Sequence, residues 1–94
     1  MTALAVLTEA RRLIVEEGWT RGQMEKNGRY CAVGAVLFAK RDDPKAPRVY
    51  PLIYEAIGRT SEAELVGWND AQPSKKPVVA AFDRAILLAK ERGL

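Results

Sequence analysis

Cys31-Ala-Val-Gly-Ala-Val-Leu-Phe-Ala39 carries no charged or strongly polar side chain. The other periodic segments of the chain are two-faced, so a segment without a wet face must be covered by the rest. Val33, Val36 and Phe38 favour a strand. Alanine, leucine and the absence of a partner strand elsewhere favour a helix, read here as Cys31 to Lys40. Gly34 and Ala35 are small enough to let another helix axis come close. The glycine costs about 1 kcal/mol of helix propensity against alanine, which tight packing should offset.

Working outward, the first helix is expected from Ala3 to Glu17, with Thr2 as N-cap and Ala3, Val6, Leu7, Ala10, Leu13 and Ile14 on its inner face. Gly18 is expected to end it in a left-handed conformation, folding Trp19 back onto Ile14. Thr20 to Tyr30 reads as a polar connection anchored inward by Met24. A third helix is placed at Arg48–Ile57, with Pro51 in its first turn and Gly58 after it. Ser61-Glu-Ala-Glu64 is a capping box opening a short helix that ends near Trp68. Asn69 to Pro73 reads as a break. Ser74 then caps a last helix reaching Arg92, with Gly93 closing it. The fold class is therefore all-α: one domain over residues 1–94, a compact irregular bundle of four main helices and one short helix around a central apolar helix.

Composition excludes much. The 94 residues carry 29% charged side chains and a net charge of +3, ordinary globular values. With no histidine and one cysteine, the chain lacks the commonest general base and any zinc-type ligand set. No Gly-rich phosphate loop, nucleophile elbow or EF-hand loop is present. No apolar run approaches the roughly 20 residues needed to cross a bilayer. The N-terminus lacks the basic region of a signal peptide, and a lone cysteine forms no internal disulfide. The expectation is a cytoplasmic protein with no catalytic residues, no metal, no cofactor and no membrane partner.

Trp68-Asn69-Asp70 is the most distinctive string. Asp70 as a general base, oriented by Asn69, is the functional reading. The preferred reading is structural: Trp68 in the core, with Asn69 and Asp70 bonding backbone N–H groups in a turn. Cys31 near a helix N-terminus could be a nucleophile, but without a histidine it is read as a buried small hydrophobe. Trp19 and Gly34 are read as structural as well. An enzyme using Asp70 with Cys31 would need both in one polar, accessible pocket.

A weaker second stripe on the first helix (Leu4, Thr8, Arg11, Val15), with Leu87 on the last helix and the Tyr50/Tyr54 pair on the third, is the expected partner surface. Its contacts would be Leu4, Arg11, Val15, Tyr50, Tyr54 and Leu87. The alternative is a helix-turn-helix-like nucleic-acid binder using Arg11, Arg12, Lys75, Lys76 and Arg84, which requires those cations to converge.

Gly18-Trp19, Cys31 followed by Gly34-Ala35, Trp68-Asn69-Asp70 and a hydroxyl residue opening the last helix, taken in that order, resemble an uncharacterised family of small helical proteins from actinobacteria and their phages. The likeness covers nearly the whole chain. Where that family often has Arg-Thr before the last helix, this chain reads Lys76-Pro77 after Ser74. The resemblance implies a compact helical fold and no catalytic residues. It further implies a phage or actinobacterial source, and with it a non-enzymatic protein-interaction module that modulates or inhibits a host protein; a structural accessory protein is a separate alternative.

Overall fold

A computed structural model describes residues 1–94. Helix α1 (Ala3–Arg12) starts where Thr2 accepts the Ala5 N–H, and continues into a π-helical turn, Leu13–Glu17. A β-hairpin follows, β1 (Glu25–Lys26) against β2 (Arg29–Tyr30). Then come α2 (Ala32–Ala39), α3 (Tyr50–Ile57), α4 (Glu62–Asp70) and α5 (Lys75–Glu91). No helix is long and apolar enough to cross a membrane.

The cap residues set the helix starts. Ser61 accepts the Glu64 N–H at 3.2 Å, and Ser74 accepts the Lys76 N–H at 3.3 Å. The Glu64 carboxylate closes the α4 box on the Thr60 N–H at 2.8 Å, one residue earlier than the simplest form of the motif. Gly58 ends α3 in the left-handed region, and the Arg59 N–H returns to the Tyr54 carbonyl.

The helices pack in a closed ring, α1 on α2, α2 on α4, α4 on α3, α3 on α5, and α5 back on α1. The core fills the ring with Leu7, Ile14, Ile53, Leu65 and Phe82, all essentially inaccessible to solvent. This corrects the expectation of a central apolar helix. Segment 31–39 is helical, but α2 is one stave of the ring. Ala32, Val33, Gly34, Ala35, Val36 and Ala39 are buried, while Leu37 is 43% and Phe38 37% exposed. Its apolar run is longer than its neighbours can cover.

Two further expectations change. Gly18 does end the first helix, but at φ 130°, ψ 166°, outside the left-handed helical region. The chain leaves in extended form, and Trp19 pairs alongside Tyr30: the Thr20 N–H donates to Tyr30 O, and the Tyr30 N–H to Gly18 O. Trp19 therefore does not fold back onto Ile14 in a helix terminator. A side chain at Gly18 would be strained, and its Cβ would lie 2.8 Å from the Arg29 Cγ.

The supposed polar connection is the second correction, since residues 25–30 form a hairpin. Asn27 and Gly28 both take positive φ, 54° and 79°, as a two-residue hairpin turn requires. Met24, expected to point inward, is 53% exposed; its backbone is what anchors the segment. The Met24 carbonyl accepts the Cys31 N–H at 3.1 Å and lies directly on Gly34. The close approach that Gly34 permits is thus by the hairpin backbone, in place of a helix axis.

Gly34→Ala is expected to destabilise the protein despite its better helix propensity. The new Cβ would overlap the Met24 oxygen and come within 2.7 Å of its carbonyl carbon. Overpacking of about 1–3 kcal/mol or more should outweigh the gain of about 1 kcal/mol. Urea unfolding measures the sum, and amide exchange should show faster opening confined to residues 20–31. A stabilised variant would mean the hairpin does not rest on Gly34.

Candidate functional site

The one buried polar side chain in the core is Asn69, 1% exposed. It belongs to the last turn of α4, which runs to Asp70, two residues beyond the expected end at Trp68. The Asn69 Oδ1 accepts the Trp19 Nε1–H at 2.9 Å and the Ala32 N–H at 3.1 Å. Its Nδ2 donates to the Thr20 carbonyl at 3.2 Å and to the Asp70 Oδ1 at 3.1 Å. With two donors facing one side of the amide and two acceptors the other, a single orientation fits. Asp70 Oδ1 also accepts the Gly22 N–H at 2.9 Å. Asn69 and Asp70 do meet backbone N–H groups, but from a helix and across to segment 19–32, where the sequence reading placed them in a local turn. Trp68 is half-buried against the core.

Cys31 is the N-cap of α2. Its Sγ accepts the Gly34 N–H at 3.4 Å, it is 4% exposed, and burial pushes its thiol pKa up. Asp70 is held by Gly22 and Asn69, and neither it nor Cys31 lines a cleft. The polar, accessible pocket an Asp70–Cys31 enzyme needs is not formed. No three Cys, Asp or Glu side chains converge as a metal cluster.

The expected partner residues divide. Lys75 donates to the Val15 carbonyl at 3.2 Å, and Arg11 pairs with Asp83 at 2.5 Å, so α1 and α5 run antiparallel. That register sets Leu87 level with Leu4 and Thr8, and Leu4, Arg11, Val15 and Leu87 share one side of the molecule. The depression there, about 550 Å³, is floored by α1, its cap Thr2 and its π-helical turn, and Leu87 is not part of it. Its charges Glu9, Arg12 and Glu16 pair with one another. Tyr50 and Tyr54 do not reach the surface. Each is 8% exposed, and their rings stack 6.3 Å apart within the core. Both side chains belong to the buried core. Tyr50 Oη is buried without a hydrogen-bond partner, and burial pushes its pKa up to about 12.

The cations named for nucleic acid are mostly engaged. Arg11 and Arg12 pair with carboxylates, Lys75 caps the π-turn, and the Arg84 Nε–H donates to the Ala56 carbonyl on the α3 side of α5. Lys76 is exposed at the start of α5. They do not form one basic stripe.

A surface the sequence reading missed lies between the hairpin and α2. Met24, Glu25, Tyr30, Gly34, Leu37, Phe38 and Arg41 line an open groove of about 470 Å³. Three of its seven residues are among the most exposed large apolar side chains of the chain. Tyr30 lies 5.1 Å from the Phe38 ring, and the Arg41 guanidinium covers that ring at 4.0 Å while donating to the Phe38 carbonyl at 2.8 Å. The only hint in the sequence is Arg41 placed three residues after Phe38, the spacing that brings helical neighbours together.

These features define a small helical domain carrying a hairpin, tied together by a buried asparagine and open along one apolar groove. The chain belongs to a family of unknown function, DUF6197, whose model matches residues 1–88. Comparison with curated proteins and with solved structures gave no match.

Asn69→Ala would leave the buried Ala32 N–H without its partner, at about 1–3 kcal/mol, while the half-buried Trp19 indole and Thr20 carbonyl, within reach of water, add less. A loss of about 2–3 kcal/mol in urea unfolding is expected, with a shift in Trp19 emission. A loss below about 1 kcal/mol would make the amide dispensable.

Tyr50→Phe is expected to leave stability at neutral pH unchanged or raised, since it removes a buried, unpartnered hydroxyl. In the parent protein the raised Tyr50 pKa contributes stability that is complete below about pH 10 and lost as pH climbs toward about 12. Alkaline unfolding should therefore move to higher pH in the variant. An unmoved alkaline midpoint would contradict the burial of that hydroxyl.

Proposed function

We propose that this protein is a non-enzymatic protein-interaction module that docks a partner along the groove between the hairpin and α2. The observation that carries this reading is the gathering of Met24, Leu37 and Phe38 in one groove, at 53%, 43% and 37% exposure. Scattered exposed apolar residues are ordinary. Contiguous ones beside an aromatic ring and an arginine have the make-up of interface cores. The α1/α5 face offers Leu4, Val15 and Leu87, but paired charges interrupt it.

The phage or actinobacterial origin that the resemblance implies makes a host protein the natural partner, with modulation or inhibition of that protein as the outcome. A structural accessory within a larger assembly would use the same groove. Nucleic-acid binding is the less favoured alternative, because most of the cations it needs already have partners.

Incorporation of a photo-crosslinking residue at position 37, and separately at 87, in an actinobacterial host tests the reading. Discrete protein adducts are expected from position 37, and Met24→Ser should suppress them. Adducts from position 87 alone would move the interface to the α1/α5 face, and adducts from neither would remove the interaction reading. Retardation of duplex DNA at low salt, lost as salt rises, would favour the nucleic-acid alternative.

A further inference from the structure

The partner's chemistry follows from how charge is distributed around the groove, given the interaction reading above. Residues 20–41 hold five cations (Arg21, Lys26, Arg29, Lys40, Arg41) against the single anion Glu25, a net of +4. The whole chain nets +3, so the remaining residues together net −1. Not all of that charge faces the groove: Lys26 and Arg29 lie on the other side of the hairpin, and Arg21 stacks over Trp19 and donates to the Gln72 carbonyl, so the groove's own lining carries Arg41 and Glu25. Glu25, the one opposing carboxylate, is occupied in accepting the Gly28 N–H at 2.7 Å across the hairpin turn.

Arg41 is the cation at the rim itself. Stacking on Phe38 and the bond to the Phe38 carbonyl hold its guanidinium in place. Its nearest carboxylate is Asp42, at 3.9 Å with a side chain 92% exposed, a contact that water competes with easily. Donors remain free on a pre-positioned guanidinium beside an apolar floor, an arrangement suited to a carboxylate next to an apolar side chain.

We infer that the groove takes an acidic, apolar segment of a partner protein, seating an apolar side chain among Met24, Leu37 and Phe38 and pairing a carboxylate with Arg41. A second copy of this chain would offer Arg41 only Glu25, the one carboxylate lining the groove, which the Gly28 N–H already engages, and a concentration-dependent dimer in sedimentation would overturn the assignment. A nucleic acid finds no free aromatic face: Arg41 covers Phe38, and Tyr30 is buried. The cations are also split between the two faces of the hairpin. Lys26 and Arg29 pair across the strands, on the side opposite Glu25 and Tyr30.

Selection from a random peptide library on the immobilised full chain, with counter-selection on Leu37→Ser, tests this chemistry without assuming it. Enriched peptides should combine Leu, Phe or Met with Asp or Glu. A synthetic member, followed by fluorescence polarisation, should bind about tenfold more weakly to Arg41→Gln and lose affinity as salt rises. Its Asp/Glu→Lys counterpart should not bind, and its amide shifts on the labelled protein should map to residues 24–41. Both substituted side chains are exposed, and unchanged thermal unfolding verifies the variants. Enrichment of basic or uncharged peptides, indifference to Arg41→Gln, or binding of phosphatidylglycerol vesicles or duplex DNA in place of peptide would overturn the assignment. Adducts from position 37 together with such a result would leave the interaction reading standing and reject only the acidic partner. No adducts and no enriched peptides would reject both.

Discussion

The amide of Asn69 is the constraint on which the rest of this structure depends. A buried primary amide has two donor and two acceptor positions, and in a core each unfilled one is costly. Here all four are filled, by groups between 1 and 50 positions away in sequence. Those groups belong to the extended stretch after α1, the first residue of α2, and α4 itself. Hydrophobic packing closes the ring of helices, but it is non-directional and would tolerate sliding. The directed bonds of Asn69 fix the register of α4 against α2 and hold residues 19–22 across the end of both.

From that junction the hairpin follows. Trp19 and Thr20, tethered to Asn69, lie beside Tyr30, and Asp70 holds Gly22. The chain between must go out and return within a few residues, which the Asn27-Gly28 turn allows. The returning backbone rests on Gly34. The motifs Gly18-Trp19, Cys31 with Gly34-Ala35, and Trp68-Asn69-Asp70 therefore describe one place in the molecule, where a hairpin is fastened to two helices. The groove is a consequence: the hairpin covers α2 at Gly34 and sets Tyr30 against one side of Phe38, leaving Leu37 and the rest of Phe38 exposed beside Met24.

The local chemistry of the helix ends was readable from single residues. Thr2, Ser61 and Ser74 accept N–H groups where a hydroxyl before a helical run should, Gly58 and Gly93 close helices in left-handed conformations, and Pro51 and Pro77 lie in first turns. The hairpin was legible only in its turn, because strands of two residues have no alternation to read. The groove was not legible. Leu37 and Phe38 continue an unbroken apolar run, and nothing in such a run marks which of its corners the neighbours will leave bare. Tyr50 and Tyr54 err in the opposite direction: at the edge of a helical stripe, a tyrosine's phenol can point either way, and here both were covered.

What the sequence determined by itself is whatever depends on neighbours within a turn of chain: helix capping, helix termination, amphipathic spacing, a mostly helical class, and the lack of histidine that narrows the available chemistry. What only the tertiary structure decided is whatever depends on groups brought together from afar: the saturation of Asn69, the seat of the hairpin on Gly34, the burial of the tyrosines and the opening of the groove. The reason is physical. Short-range hydrogen bonds and backbone sterics are functions of adjacent residues, whereas burial and long-range hydrogen bonding are functions of which surfaces remain once every element has been packed.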